Sequence, residues 1–222
     1  MGQGRVVLLH GIWRTGKSMA FIAWFLRRRG YDVLNLTYPS TRLPLEQLIE
    51  SIHPAIRDFA GVGAADEGGE VAINTPRLHF VCHSMGGLLA RGYIAKYRPP
   101  VGRVVMLGTP NHGSEVADFL KDWRLYRHAY GPAGQQITTR DAGIDALFAP
   151  VDFELGVIAG DRSLDKICSR IIGQPNDGKV SIASTKIEGM KAHRIVPSSH
   201  LMLTYRRSVM GLVERFLGDG EF

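Results

Sequence analysis

The chain has 222 residues, of which 45% are hydrophobic and 22% charged. That is the composition of a globular protein, and it excludes disordered and fibrous classes. Two cysteines, Cys82 and Cys168, exclude a disulfide-dense scaffold and a four-cysteine zinc site. The net charge of +6 is spread over scattered cations, with no basic stripe interleaved with aromatics, so no nucleic-acid partner is expected.

In chain order, residues 5–9 (RVVLL) form a continuous apolar run, as a strand buried on both faces requires. This run is too short, and too soon followed by Arg14, to be a secretory signal, and a cytoplasmic protein is the expectation. No apolar run reaches the roughly 18 residues that span a membrane. Residues 16–29 carry Met19, Ile22, Phe25 and Leu26 at helical spacing, and Gly30 stops them. The run Arg27-Arg28-Arg29 then lies at a helix C-terminus, where cations answer the dipole. Residues 32–37 predict a second strand. Leu45, Leu48, Ile49, Ile52, Ile56 and Phe59 share one helical face. Residues 60–75 are Gly-rich and acidic and read as a surface loop.

Residues 77–83 (RLHFVCH) predict a third strand, followed by a helix over 85–97 that Pro99-Pro100 ends. Residues 103–107, 155–159 and 192–196 predict three further strands, and 204–217 a last helix with Val209, Leu212, Val213, Phe216 and Leu217 on one face. The alternation predicts one α/β domain over residues 1–222, with a mostly parallel sheet of about six strands and helices on both faces. Residues 114–150 break the pattern. They hold Trp123, Tyr126, His128 and Tyr130 around Gly131-Pro132-Ala133-Gly134, and they read either as a cap over a pocket or as an ordinary helical connection.

Ligands in such sheets bind beyond the carboxyl ends of the strands, and two motifs compete there. Residues 11–18 (GIWRTGKS) match the phosphate-cradling pattern G-x-x-x-x-G-K-[ST] between a strand and a helix. A nucleotide hydrolase also needs a magnesium-holding carboxylate at another strand end. Only Asp161, after the fifth strand, is a candidate. The second motif, Cys82-His83-Ser84-Met85-Gly86, approaches the nucleophile elbow G-x-S-x-G, in which a sharp strand-to-helix turn lifts a serine hydroxyl above the sheet. Cys82 stands where that pattern prefers glycine, and its place in the strand reads as a small buried hydrophobe rather than a nucleophile.

A serine hydroxyl needs a base, and the base an orienting carboxylate. In elbow-bearing sheets the chain order is Ser, then Asp or Glu, then His. His193 lies in a predicted strand, whereas His200 follows Pro197-Ser198-Ser199 in the loop after the last strand and is the better base. For the acid, Asp177 lies in a Gly-rich turn, with Asp161 and Asp165 as alternatives. His10, His83 and His112 sit in motif loops without the helical i, i+4 spacing of a zinc motif, so they are read as shaping a pocket floor. Trp13 and Arg14 are read either as lining the pocket mouth or as plain surface.

Together Leu8-Leu9-His10-Gly11, His83-Ser84-Met85-Gly86-Gly87, Gly108-Thr109-Pro110-Asn111-His112-Gly113-Ser114, Asn176-Asp177-Gly178-Lys179-Val180 and Ser199-His200 resemble the α/β-hydrolase serine esterases and lipases, particularly the small bacterial lipase-type branch. The resemblance covers nearly the whole chain, beginning at the strand that bears His10-Gly11 and lacking the family's first antiparallel strands. It implies a carboxylic ester hydrolase that forms an acyl-enzyme on Ser84, with His200 as base and Asp177 as acid. It implies the backbone N–H groups of Ile12 and Met85 as the oxyanion hole, and Trp13, His10 and His83 at the substrate. It implies no cofactor or metal. The partner it implies is a small-molecule or lipid ester, with transient membrane-surface contact. A nucleotide hydrolase, an acyltransferase or thioesterase with the same triad, and a catalytically dead binding module are the rival expectations.

Overall fold

The computed structural model describes residues 4–61, 77–139 and 146–222. The predicted loop at 60–75 lies almost wholly outside them. Six strands form one sheet in the order β2-β1-β3-β4-β5-β6, and every pairing is parallel. They are β1 (Arg5–Leu9), β2 (Asp32–Asn35), β3 (Leu78–His83), β4 (Val101–Leu107), β5 (Glu154–Gly160) and β6 (Ala192–Val196). The predicted second strand is shorter by two residues, and β4 begins two residues earlier than its apolar run.

Each strand feeds both faces because its side chains alternate. In β1, Val7 and Leu9 join one core and Val6 and Leu8 the other. The first core is closed by α2 (Leu45–Ala60) and α3 (Met85–Tyr97). The second is closed by α1 (Ala20–Arg27), entered through a 3₁₀ turn at Gly16–Met19, and by the last helix, α8 (Arg207–Asp219). The predicted last helix starts three residues later and ends two residues later than expected, as α8, and a 3₁₀ turn, Leu201–Thr204, precedes it. Between β4 and β5 run α4 (Glu115–Leu120) and α5 (Arg124–Gln136), the latter broken at Gly131. The short helices α6 (Lys166–Ile172) and α7 (Ile182–Thr185) connect β5 to β6. Among the described residues, no helix is long and apolar enough to cross a membrane.

Sequence order runs outward from β1 in opposite directions, to β2 on one side and to β3 on the other. The crevice at such a reversal, beyond the strand ends, is where open α/β sheets take ligands. The turns after β1 and β3 carry Ile12 and Ser84 to that place.

Candidate active site

Ser84 is the single residue between β3 and α3, and its backbone is held at φ 55° and ψ −128°. A non-glycine residue there carries about 1–3 kcal/mol of strain that the surroundings must hold. They do so from three sides. Ser84 N–H donates to Leu107 O at 2.9 Å, and Ser84 O accepts from Gly87 N–H at 3.0 Å and from the Thr109 hydroxyl at 3.0 Å. The two glycines allow α3 to sit this close. A Cβ on Gly86 would stand 2.4 Å from Leu9 O, and one on Gly87 2.2 Å from Thr109 Oγ1. Cys82 lies beneath the turn, wholly buried in the core, where desolvation pushes its thiol far above the usual range. It is packing, not a nucleophile.

The loop after β6 brings His200 to the serine's cavity, and the turn after α6 brings Asp177 against His200. The imidazole Nδ1 and Asp177 Oδ2 are 2.7 Å apart, and His200 N–H donates to Asp177 O at 2.9 Å. Both side chains are buried. The other carboxylate oxygen, Oδ1, accepts from the N–H groups of Lys179 at 3.0 Å and Val180 at 2.9 Å. Burial opposes ionisation of Asp177, but the His200 imidazole and these donors outweigh it and hold the carboxyl below the usual range. The pair lies against Gly108, whose φ is +58° and whose Cβ, if present, would approach Asp177 Oδ2 to 3.0 Å and His200 Nδ1 to 3.1 Å. Asp161 points elsewhere, with its carboxylate 3.5 Å from Arg162. Asp165 is taken by Lys179 at 2.8 Å.

The expected floor histidines separate. His83 lines the cavity, and its Nε2 is 3.0 Å from His200 O. A carbonyl only accepts, so Nε2 carries the proton and Nδ1 is left as a buried acceptor without a partner among the described residues. Burial, reinforced by the neighbouring His200, pushes its pKa down to about 3, so the ring is neutral at working pH. His10 does not reach the cavity. It is fully buried, stacked on Tyr38 at 3.9 Å, and receives the Tyr38 N–H on Nε2 at 3.3 Å. Its place is support beneath the loop. His112 is not on the cavity wall either. Among the described residues, no group of three His, Cys, Asp or Glu side chains is arranged to hold a metal ion.

The Gly11–Ser18 stretch does not form a phosphate nest. Gly16 N–H donates to the Thr37 hydroxyl at 2.9 Å. Ser18 returns both its N–H and its hydroxyl to Thr15 O, at 3.0 and 2.8 Å. Lys17 points to solvent. Ile12 and Trp13 instead line the serine's cavity, and Trp13, at φ 64°, leans toward Tyr130 with 60% of its surface exposed. Neither the Ile12 N–H nor the Met85 N–H meets a backbone acceptor among the described residues. The Met85 amide is the first of α3, where no intrahelical acceptor exists. Its side chain is core.

The cavity holds about 190 Å³. Its far wall is apolar: Val116, Ala117 and Leu120 from α4, Tyr126 and Tyr130 from α5, and Ile137 after it. Part of the 114–150 segment therefore faces the serine, although the exposed Trp123 does not. Sequence reasoning missed Cys168 and Leu201, which also line the cavity. Their only sequence cue was closeness in the chain to Asp177 or His200.

Strand order, a strained serine between strand and helix, and a buried Asp–His pair facing one cavity define the architecture of the α/β hydrolases. A sequence profile described as "Alpha/beta hydrolase family" matches residues 6–179, and the chain belongs to that family. A carbendazim hydrolyzing esterase from Nocardioides sp. (strain SG-4G) is 30% identical over 118 residues, which cover 51% of this chain and 46% of that protein. The chain thus spans about half the length of that curated relative. The mature form of a Bacillus licheniformis lipase superimposes with a TM-score of 0.70 at 17% identity, covering 99% of this chain and 92% of the lipase. A metagenomic carboxyl esterase gives a TM-score of 0.66 at 16% identity, with 99% and 74% covered. At such identities the structural likeness concerns the fold.

Proposed function

We propose that the protein hydrolyses carboxylic esters through an acyl-enzyme on Ser84. The observation that carries this reading is the His200–Asp177 pair, 2.7 Å apart and buried, opening on the same cavity as a serine held at φ 55°. The roles follow from the donors and acceptors. Asp177 Oδ2 accepts from Nδ1–H of His200, which leaves Nε2 as the lone-pair nitrogen that takes the Ser84 proton. The hydroxyl oxygen attacks the ester carbonyl. The oxygen that becomes negative is met by the N–H groups of Ile12 and Met85, each such donor lowering the barrier by about 3 kcal/mol. Collapse breaks the C–O bond, and His200 returns the proton to the leaving alcohol. Water, deprotonated by the same nitrogen, then releases the acid and restores Ser84.

The apolar wall from α4 and α5 suits an acyl chain, and in this role residues 114–139 act as a cap. Of the residues that line the cavity, Trp13 and Leu201 are large apolar groups that remain exposed. Exposed apolar groups at a cavity fit an ester presented at a lipid surface. The lipase, esterase and carbendazim-hydrolysing names among the similar proteins point to the same bond class.

Fluorophosphonate labelling with intact mass and peptide mapping tests the reading. One adduct on Ser84, lost on heat denaturation, and no ester turnover by Ser84→Ala are the expected results. Unchanged turnover by a folded Ser84→Ala would overturn it.

A further inference from the structure

Two cations, Arg14 and Lys179, line the cavity that holds Ser84, and among the described residues no carboxylate stands with them on its wall. The described carboxylates beside the lining residues have other partners, Glu115 Oε1 accepting from the Ser181 hydroxyl at 2.8 Å. Asp177 gives Oδ2 to His200 and Oδ1 to two backbone N–H groups. Asp165 takes Lys179 at 2.8 Å, which cancels that cation. Arg14 makes no ion pair and no side-chain hydrogen bond among the described residues, and its side chain is half-buried beside the apolar wall. The turn itself places it: Arg14 N–H closes on Gly11 O at 3.3 Å, Trp13 takes a positive φ, and both side chains line the cavity. Its charge is near enough to help keep His83 unprotonated. Among the described residues, the cavity therefore carries one positive charge without an ion-pair partner on the same lining as Ser84. In a partly desolvated site a counter-charge is worth more than in water, and the guanidinium fork matches the oxygens of a carboxylate or phosphate.

We propose that Arg14 selects esters that carry an anionic oxygen group, so the substrate is an acidic acyl ester rather than a neutral one. This rests on the hydrolase reading above and deepens it. The uncharged wall of Val116, Leu120 and Ile137 takes the aliphatic part, while Arg14 takes the anion at the mouth.

The test uses the full chain at low salt. Mono-4-nitrophenyl adipate is compared with 4-nitrophenyl hexanoate, and hexanoylglycerol phosphate with hexanoylglycerol. The first pair puts a carboxylate on the acyl side, and the second a phosphate on the alcohol side. One charge-assisted contact predicts a kcat/KM preference of about 10–100-fold for the anionic member of at least one pair. Arg14→Gln should reduce that ratio about tenfold or more, chiefly through KM, and Arg14→Lys should keep much of it. Salt should erode the preference of the wild type but not of Arg14→Gln. A wild-type ratio near one for both pairs would overturn the proposal. So would an equal loss on both members in Arg14→Gln, which would assign the charge to the oxyanion instead. Equilibrium dialysis of monomethyl adipate and methyl hexanoate on Ser84→Ala, with and without Arg14→Gln, reads the selection without turnover. Failure of the hydrolase reading (no ester cleaved and no serine adduct) is thereby kept apart from failure of this one.

Discussion

The two sides of the serine's cavity are built by different means. On the side of β1, β3 and β4, positions are fixed by glycines whose backbone lies too close to its neighbours to admit a side chain. Gly86 admits Leu9 O, Gly87 admits Thr109, and Gly108 lies against the Asp177–His200 pair. On the side of α4 and α5 the wall is side chains: Val116, Leu120, Tyr126 and Ile137. The first side leaves room for one residue type at each point, so it imposes a motif. The second asks only for apolar volume, which many sequences supply. Precision of the reaction belongs to the first side and breadth of substrate to the second, and substitutions on each side should separate accordingly.

The largest effect is expected at the acid. Asp177→Asn keeps the shape but can present its N–H₂ to Nδ1, which disfavours the tautomer with a free Nε2. A fall of about 10⁴-fold in kcat is expected. Asp161→Asn, at the pair with Arg162, should stay within about twofold, since it touches nothing in the site. Steady-state kinetics of the two variants compares them directly. Loss of activity in Asp161→Asn with retention in Asp177→Asn would reverse the assignment.

The division also accounts for what the sequence could reveal. The strand–helix alternation was legible because buried parallel strands are continuous apolar runs, and all six occur where those runs lie. Boundaries were less so. β4 extends back to Val101 through the half-buried Gly102, which carries no apolar mark. The elbow was legible through its glycines and serine. The choice of Asp177 as the acid rested on the resemblance of Asn176–Val180, because Asp161, Asp165 and Asp177 all follow β5, and the loop path brings Asp177 to His200. His10 looked like a substrate contact because it precedes Gly11, yet the chain turns after it and buries it on Tyr38. The resemblance of residues 11–18 to a phosphate loop arises from a shared need: a strand that turns sharply into a helix uses glycines whatever it binds. Arg14 fills a position where that pattern accepts any residue, so the sequence left it between pocket mouth and plain surface, and the structure puts it on the cavity lining.

A methyl group on the backbone-governed side should be nearly as damaging to stability as the acid is to rate. Gly86→Ala places Cβ 2.4 Å from Leu9 O, which is backbone and cannot move aside. Destabilisation of about 3 kcal/mol is expected, at the upper end of overpacking costs. Gly211→Ala in α8 meets nothing within 4 Å and should stabilise by about 0.5–1 kcal/mol through helix propensity. Denaturant midpoints measure both. A neutral Gly86→Ala would show that the approach of α3 to β1 is loose.

His83 ties the two loops of the precise side together, and its burial has a pH consequence. In the unfolded chain its imidazole takes a proton below about pH 6.5. In the native protein it stays neutral until about 3. Protons therefore favour the unfolded state between those values, and stability should fall as pH falls, by up to about 1.4 kcal/mol per pH unit from this one group. His10 and His79, also held neutral by burial, act in the same direction. His83→Gln keeps a donor for His200 O but does not titrate. Its stability should decline less steeply than that of the wild type between pH 6.5 and 4, as read by urea unfolding at a series of pH values. Parallel pH profiles would mean that His83 is protonated in the fold.

The smallest effect on stability, and the sharpest on selectivity, belongs to the side-chain wall. Leu120 lines the cavity and is only half-buried, packed against the small cluster of Val116, Cys168 and Ile172. Leu120→Ala removes about three carbons from that wall without exposing any backbone group. Its cost in stability should stay near 1 kcal/mol, below the range for fully buried leucines. The added space should move the optimum of kcat/KM toward longer acyl chains by about tenfold relative to the shortest ester, since each methylene that finds a wall is worth roughly that factor. The serine, its base and the acid are untouched by the change, so kcat on a short ester should hold while the chain-length profile shifts. A profile that keeps its shape, or a kcat that collapses on every ester, would show that α4 helps to place the catalytic groups, and the two sides of the cavity would then have to be treated as one.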